Sequence, residues 1–445
     1  MSNSIVFTNA TLVTLGESCQ VIPQGACWVD RGVIRALGPQ QQIEDRLPPL
    51  ARLDLGGRVL MPGLINAHDH LYSAFARGIA LKDAAPENFL QVLQRLWWRL
   101  DAALDLDDVY LSGLLGFCEA VQRGVTCVID HHASPACIEG SLARLGSACL
   151  EVGLRACLCY ETTDRHGSRG AELGIQENLR FVRDCQASSH NLLSPALGLH
   201  ASITVGPETL QKALRSWPED VPVHVHVAED GCDVEDSLQK YQRPPLQRLL
   251  DEGLQGRPVW AAHCIHLQSH ELALLVDNDI TVMHNPRSNL NNAVGCAPIK
   301  PMLEAGVAVA LGTDGMSQDP AQDAQTLALI HKHQARHPQA FSFDDIYRVA
   351  LLEPARLASQ RFGHRMGALV EGAVADLAVF DYDPPTPLQS GNFLGHWLFG
   401  LSTAPCWGTW VDGRCVFFKG QVAGIDMGEL KERCRRASEA LWQRW

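Results

Sequence analysis

The sequence predicts an α/β fold: a distorted (β/α)8 barrel of the TIM type, with a small β-sandwich domain built from both chain ends. Three observations point there. Short apolar runs recur through the middle of the chain, and one after another ends in a histidine or a carboxylate. These runs alternate with helical patterns from about residue 60 to about residue 362. The flanking stretches, 1–59 and 363–445, are rich in strand and turn signals instead. Alternating strand and helix implies a parallel sheet with right-handed crossovers. A barrel of such units gathers its functional residues at the strand C-termini.

The first stretch holds the strand-like runs Ile5-Val-Phe7, Thr11-Leu-Val-Thr-Leu15 and Cys27-Trp-Val-Asp-Arg-Gly-Val-Ile34, with Asp30-Arg-Gly32 as a hairpin turn. Arg58-Val-Leu-Met-Pro-Gly-Leu-Ile-Asn-Ala67 then reads as one short buried strand running into His68-Asp-His70. Residues i and i+2 of a strand point the same way, so the two imidazoles converge and make half of a metal site. Helix-like apolar spacing comes next over Glu87–Asp101 and over Asp105–Arg123, the latter closing at Gly124. The strand-end series continues through Val125-Thr-Cys-Val-Ile-Asp-His131-His132, Ala196-Leu-Gly-Leu-His200 and Val221-Pro-Val-His224-Val-His226-Val-Ala-Glu229. Pro258-Val-Trp-Ala-Ala-His263-Cys264-Ile-His266 and Ala308-Val-Ala-Leu-Gly-Thr-Asp314 complete it. Any one of these histidines passes as a satisfied core or loop residue; the series does not. Strand alternation turns Cys264 away from His263, toward the core. The tail returns to β with Gly372–Asp381 and Thr409–Phe418, where Asp412-Gly413 signals a second hairpin. Met427–Trp445 reads as an amphipathic basic helix whose charges form a solvated face.

The chain has 445 residues, enough to bury a large core. Its 37 Lys and Arg against 50 Asp and Glu give a net charge of −13. That argues against nucleic acid or an anionic membrane as partner, since both need basic surface. The start shows no basic n-region and no apolar core of a secretory signal, and no run is long and apolar enough to span a bilayer. The 15 cysteines have no regular spacing; no Cys-x-x-Cys occurs, and the closest pair is Cys157 and Cys159. That excludes a Cys-based zinc signature. It suits a cytoplasmic protein, whose cysteines act as small buried hydrophobes.

Several segments together resemble the amidohydrolase superfamily, in its branch of adenosine, guanine and S-adenosylhomocysteine deaminases and triazine hydrolases. They are Met61-Pro-Gly-Leu-Ile-Asn-Ala-His-Asp-His70, His226-Val-Ala-Glu229, Ala262-His-Cys-Ile-His-Leu267, His284-Asn-Pro-Arg-Ser-Asn289, Leu311-Gly-Thr-Asp314 and Gly372-Ala-Val-Ala-Asp376. His70-Leu-Tyr-Ser-Ala-Phe-Ala-Arg-Gly78 and Asn289-Leu-Asn-Asn-Ala-Val-Gly295 are most similar to the SsnA group of aminohydrolases. The resemblance covers nearly the whole chain. It implies metal ligands at His68, His70, His226 and Asp314, with Glu229 moving protons and His263 assisting the reacting water and substrate. His224, one step deeper than His226, is then a packed residue or a support for a ligand, and His266 is structural. His200, His131 and His132 stand at strand ends with a possible substrate role. The relatives hold a ribose through a Glu on the first long helix; Asp101 stands there, one methylene shorter, which weakens the case for a nucleoside. Trp97 and Trp98 nearby can stack on a flat ring.

The stretch Pro195–Thr204 lacks the Lys or Cys with which binuclear relatives bridge two metals, so one divalent ion per chain is expected. Imidazole and carboxylate ligands make zinc the default, with iron or manganese as alternatives. The implied function is hydrolytic deamination of a nitrogen heterocycle: a purine, pteridine, pyrimidine or related ring. The same site acting on another leaving group, ring chloride or a cyclic amide such as an imidazolone, is the alternative. A non-catalytic metal-binding scaffold ranks last, because both Glu229 and Asp314 are present. By family analogy the chain forms a dimer or larger homo-oligomer.

Overall fold

A computed structural model describes residues 4–45, 47 and 50–445 of the chain. Residues 1–3, the first of the stretch read for a secretory signal, lie outside them. Five strands open the chain: β1 (Ser4–Val13), β2 (Val21–Asp30), β3 (Val33–Pro39), β4 (Ala51–Asp54) and β5 (Val59–Pro62). Four parallel strands come next as one sheet, β6 (Leu64–Asp69), β7 (Val125–His132), β8 (Arg155–Tyr160) and β9 (Leu193–Pro195). A second parallel sheet holds β10 (Leu197–Ala201), β11 (Val223–Val227), β12 (Val259–His263), β13 (Thr281–His284) and β14 (Ala308–Leu311). The chain ends with β15 (Leu377–Phe380), β16 (Cys406–Val411), β17 (Arg414–Phe418), β18 (Gln421–Val422) and the helix Met427–Arg444.

The two chain ends meet in one nine-stranded sheet, where β5 pairs antiparallel with β15 from Val59↔Phe380 to Pro62↔Leu377. Its core is apolar, and the Phe7 and Trp410 rings meet edge-on at 5.0 Å. Both expected hairpins form. Arg31 and Gly32 join β2 to β3, and Asp412 and Gly413 join β16 to β17; all four have φ between 49° and 76°. That left-handed pair is the two-residue turn whose twist matches the strands.

The expected single strand Arg58–Ala67 is two strands, because its pairing partner changes from β15 to β7 at Gly63. Gly63 sits where a Cβ would meet the Thr126 side chain at 2.1 Å. The chain breaks there, leaving β5 in the terminal sheet and starting β6 in a parallel one. The two parallel sheets also touch along both edges. Asp69 bridges Asp314, and Thr162 bridges Leu199. Long strands such as β7 are buried throughout, as expected where helices cover a parallel sheet.

Two helical stretches lie between β6 and β7. Leu106–Gln122 opens with a capping box between Asp105 and Asp108, and Gly124 (φ 77°) closes the turn after it. The expected helix over Glu87–Asp101 is interrupted: Phe89–Val92 and Trp98–Ala103 flank a π-helical turn, Leu93–Trp97. No helix among the described residues is long and apolar enough to cross a membrane.

A buried ion pair fastens the terminal sheet to the parallel strands. Arg155 of β8 is fully buried, with Nε 2.6 Å from Asp376 Oδ2, and Asp376 Oδ1 accepts from the Asp412 N–H at 2.7 Å. Asp376→Ala strands a buried guanidinium, at an expected cost of about 3–5 kcal/mol. A chemical-denaturation midpoint unchanged by this substitution would refute the fastening role.

Candidate active site

The site is assembled from strand ends with tight local turns. His68 lies in β6 and His70 just beyond it, at the start of the 3₁₀ turn Leu71–Ala76. His224 and His226 occupy alternate positions of β11 and so share a face. Ala228, His263, Cys264 and Asp314 follow or end β11, β12 and β14 with φ of 47°, 73°, 51° and 54°. Left-handed non-glycine residues cost roughly 1–3 kcal/mol each and persist where surrounding structure holds them. Here they turn the chain sharply as it leaves each strand. Gly312 lets two such ends close up: a Cβ there would lie 2.7 Å from the His68 Cβ. The Thr313 and Asp314 N–H groups then both donate to the His68 carbonyl at 2.9 Å.

Hydrogen bonding sets the histidine tautomers. His70 Nδ1 is 2.6 Å from the His131 carbonyl, and His226 Nδ1 is 2.8 Å from the His200 carbonyl. A carbonyl only accepts, so each Nδ1 carries the proton and each Nε2 presents a lone pair. Those two Nε2 atoms face one another at 3.2 Å, and the Asp314 Oδ1 is 3.3 Å from that of His70. His68 Nε2 is 3.6 Å from the same carboxylate oxygen and has no hydrogen-bond partner among the described residues. His68 Nδ1 is engaged by His224 Nε2 at 2.8 Å, so His224 supports a ligand position rather than occupying one. Burial lowers the pKa of His68 to about 3 and also lowers those of His70 and His226. Burial opposes charge on Asp314 too, but the adjoining His68, His70 and His263 rings hold its carboxyl well below the usual range. Neutral imidazoles and a carboxylate, aimed at one another with no proton between them, fit a cation and repel without one. The residues that can hold a divalent metal are His68, His70, His226 and Asp314.

Proton-moving groups stand beside this set. Glu229 Oε2 is 3.5 Å from His263 Nε2, which is 3.8 Å from Asp314 Oδ2. Burial, with the Asp314 charge adding, pushes Glu229 up to about 7 against the pull of His263. His263 Nδ1 pairs with Asn289 Oδ1 at 2.9 Å, and the Ser288 hydroxyl donates to Asp314 Oδ2 at 2.5 Å. Ser288 and Asn289 lie in a segment singled out from sequence, though without a role.

His70, His226, Glu229, His263, Ser288 and Asp314 line one cleft. His200, Trp97, Trp98 and Asp101 line it as well. His131 and His132 do not, contrary to the substrate role expected for them. β7 carries both inward as buried residues. His131 is held between Glu161 Oε2 (3.4 Å) and the His224 carbonyl (3.2 Å), and His132 pairs with Ser134 Oγ at 3.0 Å. His266 bonds the Val294 carbonyl at 2.7 Å, and Cys264 is buried. Sequence reasoning missed Glu161, which lines the cleft directly after β8. The rule that found the others, a titratable residue ending a buried strand, finds it too.

Residues 59–422 match the model of the Amidohydrolase family. The chain belongs to the amidohydrolase family. Its relatives include the 5-methylthioadenosine/S-adenosylhomocysteine deaminase of Desulforudis audaxviator, 30% identical over 418 residues that cover 93% of this chain and 94% of the relative. An adenosine deaminase from Xanthomonas campestris with bound zinc has the same fold, with a TM-score of 0.87 at 24% identity, covering 99% of this chain and 98% of that one. The atrazine chlorohydrolase of Arthrobacter aurescens, complexed with zinc, matches with a TM-score of 0.80 at 21% identity, over 98% of this amidohydrolase and 100% of that chain.

Proposed function

We propose that this amidohydrolase is a metal-dependent hydrolytic deaminase of a nitrogen heterocycle, with aminated purines first among the ring classes. It is a hydrolase of carbon–nitrogen bonds other than peptide bonds. The observation that carries this function is the convergence of His68, His70, His226 and Asp314 beside a largely buried Glu229 at one cleft. The named activity of the Desulforudis relative supports the purine class. We read the two parallel sheets, bridged along both edges, as one distorted (β/α)8 barrel over about residues 60–362. Residues 1–59 and 363–445 then form the β-sandwich domain.

His68, His70, His226 and Asp314 would hold one metal, zinc by the character of the donors. When bound, it supplies Lewis acidity that lowers the pKa of a water from 15.7 to about 7. Asp314 accepts the proton of the attacking water, its Oδ2 steadied by Ser288. Glu229, poised near neutrality, delivers a proton to the ring nitrogen next to the amino-bearing carbon and makes that carbon electrophilic. His263, fixed by Asn289, turns Nε2 toward both carboxylates and steadies the developing charge. The proton taken by Asp314 goes to the amino group, which leaves as ammonia; as the ring carbonyl forms, the remaining O–H proton of the added water passes to Glu229 and restores it.

Ammonia release from a panel of aminated purines, pterins, pyrimidines and triazines tests this. At least one ring is expected to yield one ammonia per ring turned over. Chloride release from a chlorotriazine without ammonia from any ring would establish the other leaving group, which the likeness to the chlorohydrolase favours as the second choice.

A further inference from the structure

A second set of charged groups borders the cleft and takes no part in the deamination. Asp101 lies on the helix Trp98–Ala103, Glu161 follows β8, and Arg165 sits in the turn Asp164–His166. Arg165 Nη2 is 2.9 Å from Asp101 Oδ2 and 3.0 Å from Glu161 Oε1. The guanidinium packs 4.9 Å from the centre of the Trp98 ring. Both carboxylates line the cleft and Arg165 does not, so the cation stands behind the acids it holds. Asp101 Oδ1, on a side chain 2% exposed, has no hydrogen-bond partner among the described residues. A carboxylate that lines a cavity and keeps one oxygen accepting from nothing is a place for a donor.

The sign of the charge narrows what that donor belongs to. Among the described residues no Lys or Arg lines the cleft, while four carboxylates do: Asp101, Glu161, Glu229 and Asp314. Glu229 and Asp314 serve the reaction. Arg165 offsets one of the remaining two negative charges, so Asp101 and Glu161 together keep one. Phosphate and carboxylate ligands are taken up by guanidinium or ammonium groups aimed at them. Here the one guanidinium is spent on two acids, and an arriving anion meets acceptors instead of donors.

We propose that Asp101 and Glu161, held from behind by Arg165 as a positioning residue, form a subsite that reads hydrogen-bond donors and excludes anions. The substrate is then an aminated heterocycle whose other substituents are neutral or cationic donors such as hydroxyl, amide or ammonium groups. This rests on the cleft being the deaminase's substrate site. Of the two molecules that the Desulforudis relative is named for, the subsite admits 5-methylthioadenosine, a neutral nucleoside, and disfavours S-adenosylhomocysteine, whose tail carries a carboxylate.

Equilibrium binding to the zinc-loaded protein tests it, with matched probes: adenosine and adenosine 5′-monophosphate, pterin and pterin-6-carboxylate. The neutral member of at least one pair is expected to bind, and its anionic partner to bind at least tenfold more weakly. Asp101→Asn and Glu161→Gln should each weaken the neutral probe and shrink that ratio below threefold. Arg165→Met should weaken the neutral probe likewise, and Arg165→Lys should restore most of its affinity, a rescue that a merely structural role does not predict. Anionic probes binding as tightly as neutral ones, or no neutral probe binding, would overturn the subsite. So would a ratio unmoved in both acid variants. Ammonia is read separately: selective binding without ammonia ends the deaminase function and leaves the subsite standing. Equal ammonia release from both members of a pair does the reverse.

Discussion

Glu229→Gln is expected to lower kcat by about 10²–10⁴-fold, the usual worth of a positioned acid–base group, while bound metal and melting temperature stay unchanged. The substitution keeps the size of the side chain and its hydrogen-bonding reach, and it removes only the ability to carry a proton. Glu229 is well placed for that ability. Burial raises it to about 7, so near neutral pH it holds a proton for part of the time and can surrender it. It is not among the groups that converge as ligands; His263 Nε2 stands 3.5 Å from its Oε2. Turnover, metal content and thermal melting measured on the same preparation separate the possibilities. Activity within tenfold of wild type would remove Glu229 from the proton path. A loss of metal along with activity would instead make it part of the metal's coordination.

How much of this arrangement was legible in the sequence depends on where each residue stands relative to an apolar run. His68, His70, His226, His263 and Asp314 end or follow buried strands, so a reader of periodicity meets them one after another. Glu161 obeys the same rule, but the run before it, Cys157-Leu-Cys-Tyr160, stands out for its cysteine pair rather than as a strand end. The break at Gly63 leaves no mark on hydrophobicity, since both halves of Arg58–Ala67 are buried; it lies where the pairing partner changes from β15 to β7, strands far away in sequence. The π-helical turn Leu93–Trp97 is equally silent. One extra residue in a helical turn shifts the register of every later turn without altering the apolar count. Its effect is local and functional, because Trp97, Trp98 and Asp101 all reach the cleft from this interrupted helix. Ser288 and Asn289 act through partners distant in sequence, as Arg165 does through Asp101, and no spacing rule connects these pairs.

Metal removal is the other change with a large expected effect. Chelation should abolish turnover and lower the melting temperature, and one equivalent of zinc per chain should restore both. A metal at a thousand times its Kd stabilises the fold by about 4.1 kcal/mol, a shift that a melting curve reads easily. The sign comes from the donors: two lone pairs at 3.2 Å and a carboxylate oxygen at 3.3 Å repel one another unless a cation stands among them. The stoichiometry comes from their surroundings. Glu161 with His131 and His70, or with His200 and His226, brings ligand atoms within 4.8 Å and resembles a second site. His70 and His226 are already committed, however, and the His224 carbonyl takes His131 Nε2, which leaves only His131 Nδ1, 3.4 Å from Glu161 Oε2. Arg165 holds a positive charge 3.0 Å from Glu161, where a second cation would have to displace it. β10, which ends next to this cluster at His200 and Ala201, offers no Lys or Cys to bridge two ions. Titration of the chelated protein should therefore reach full activity and full melting temperature together at one zinc per chain. A requirement for two would mean that Arg165 yields its place, and would unseat the anion-excluding subsite along with the mononuclear centre.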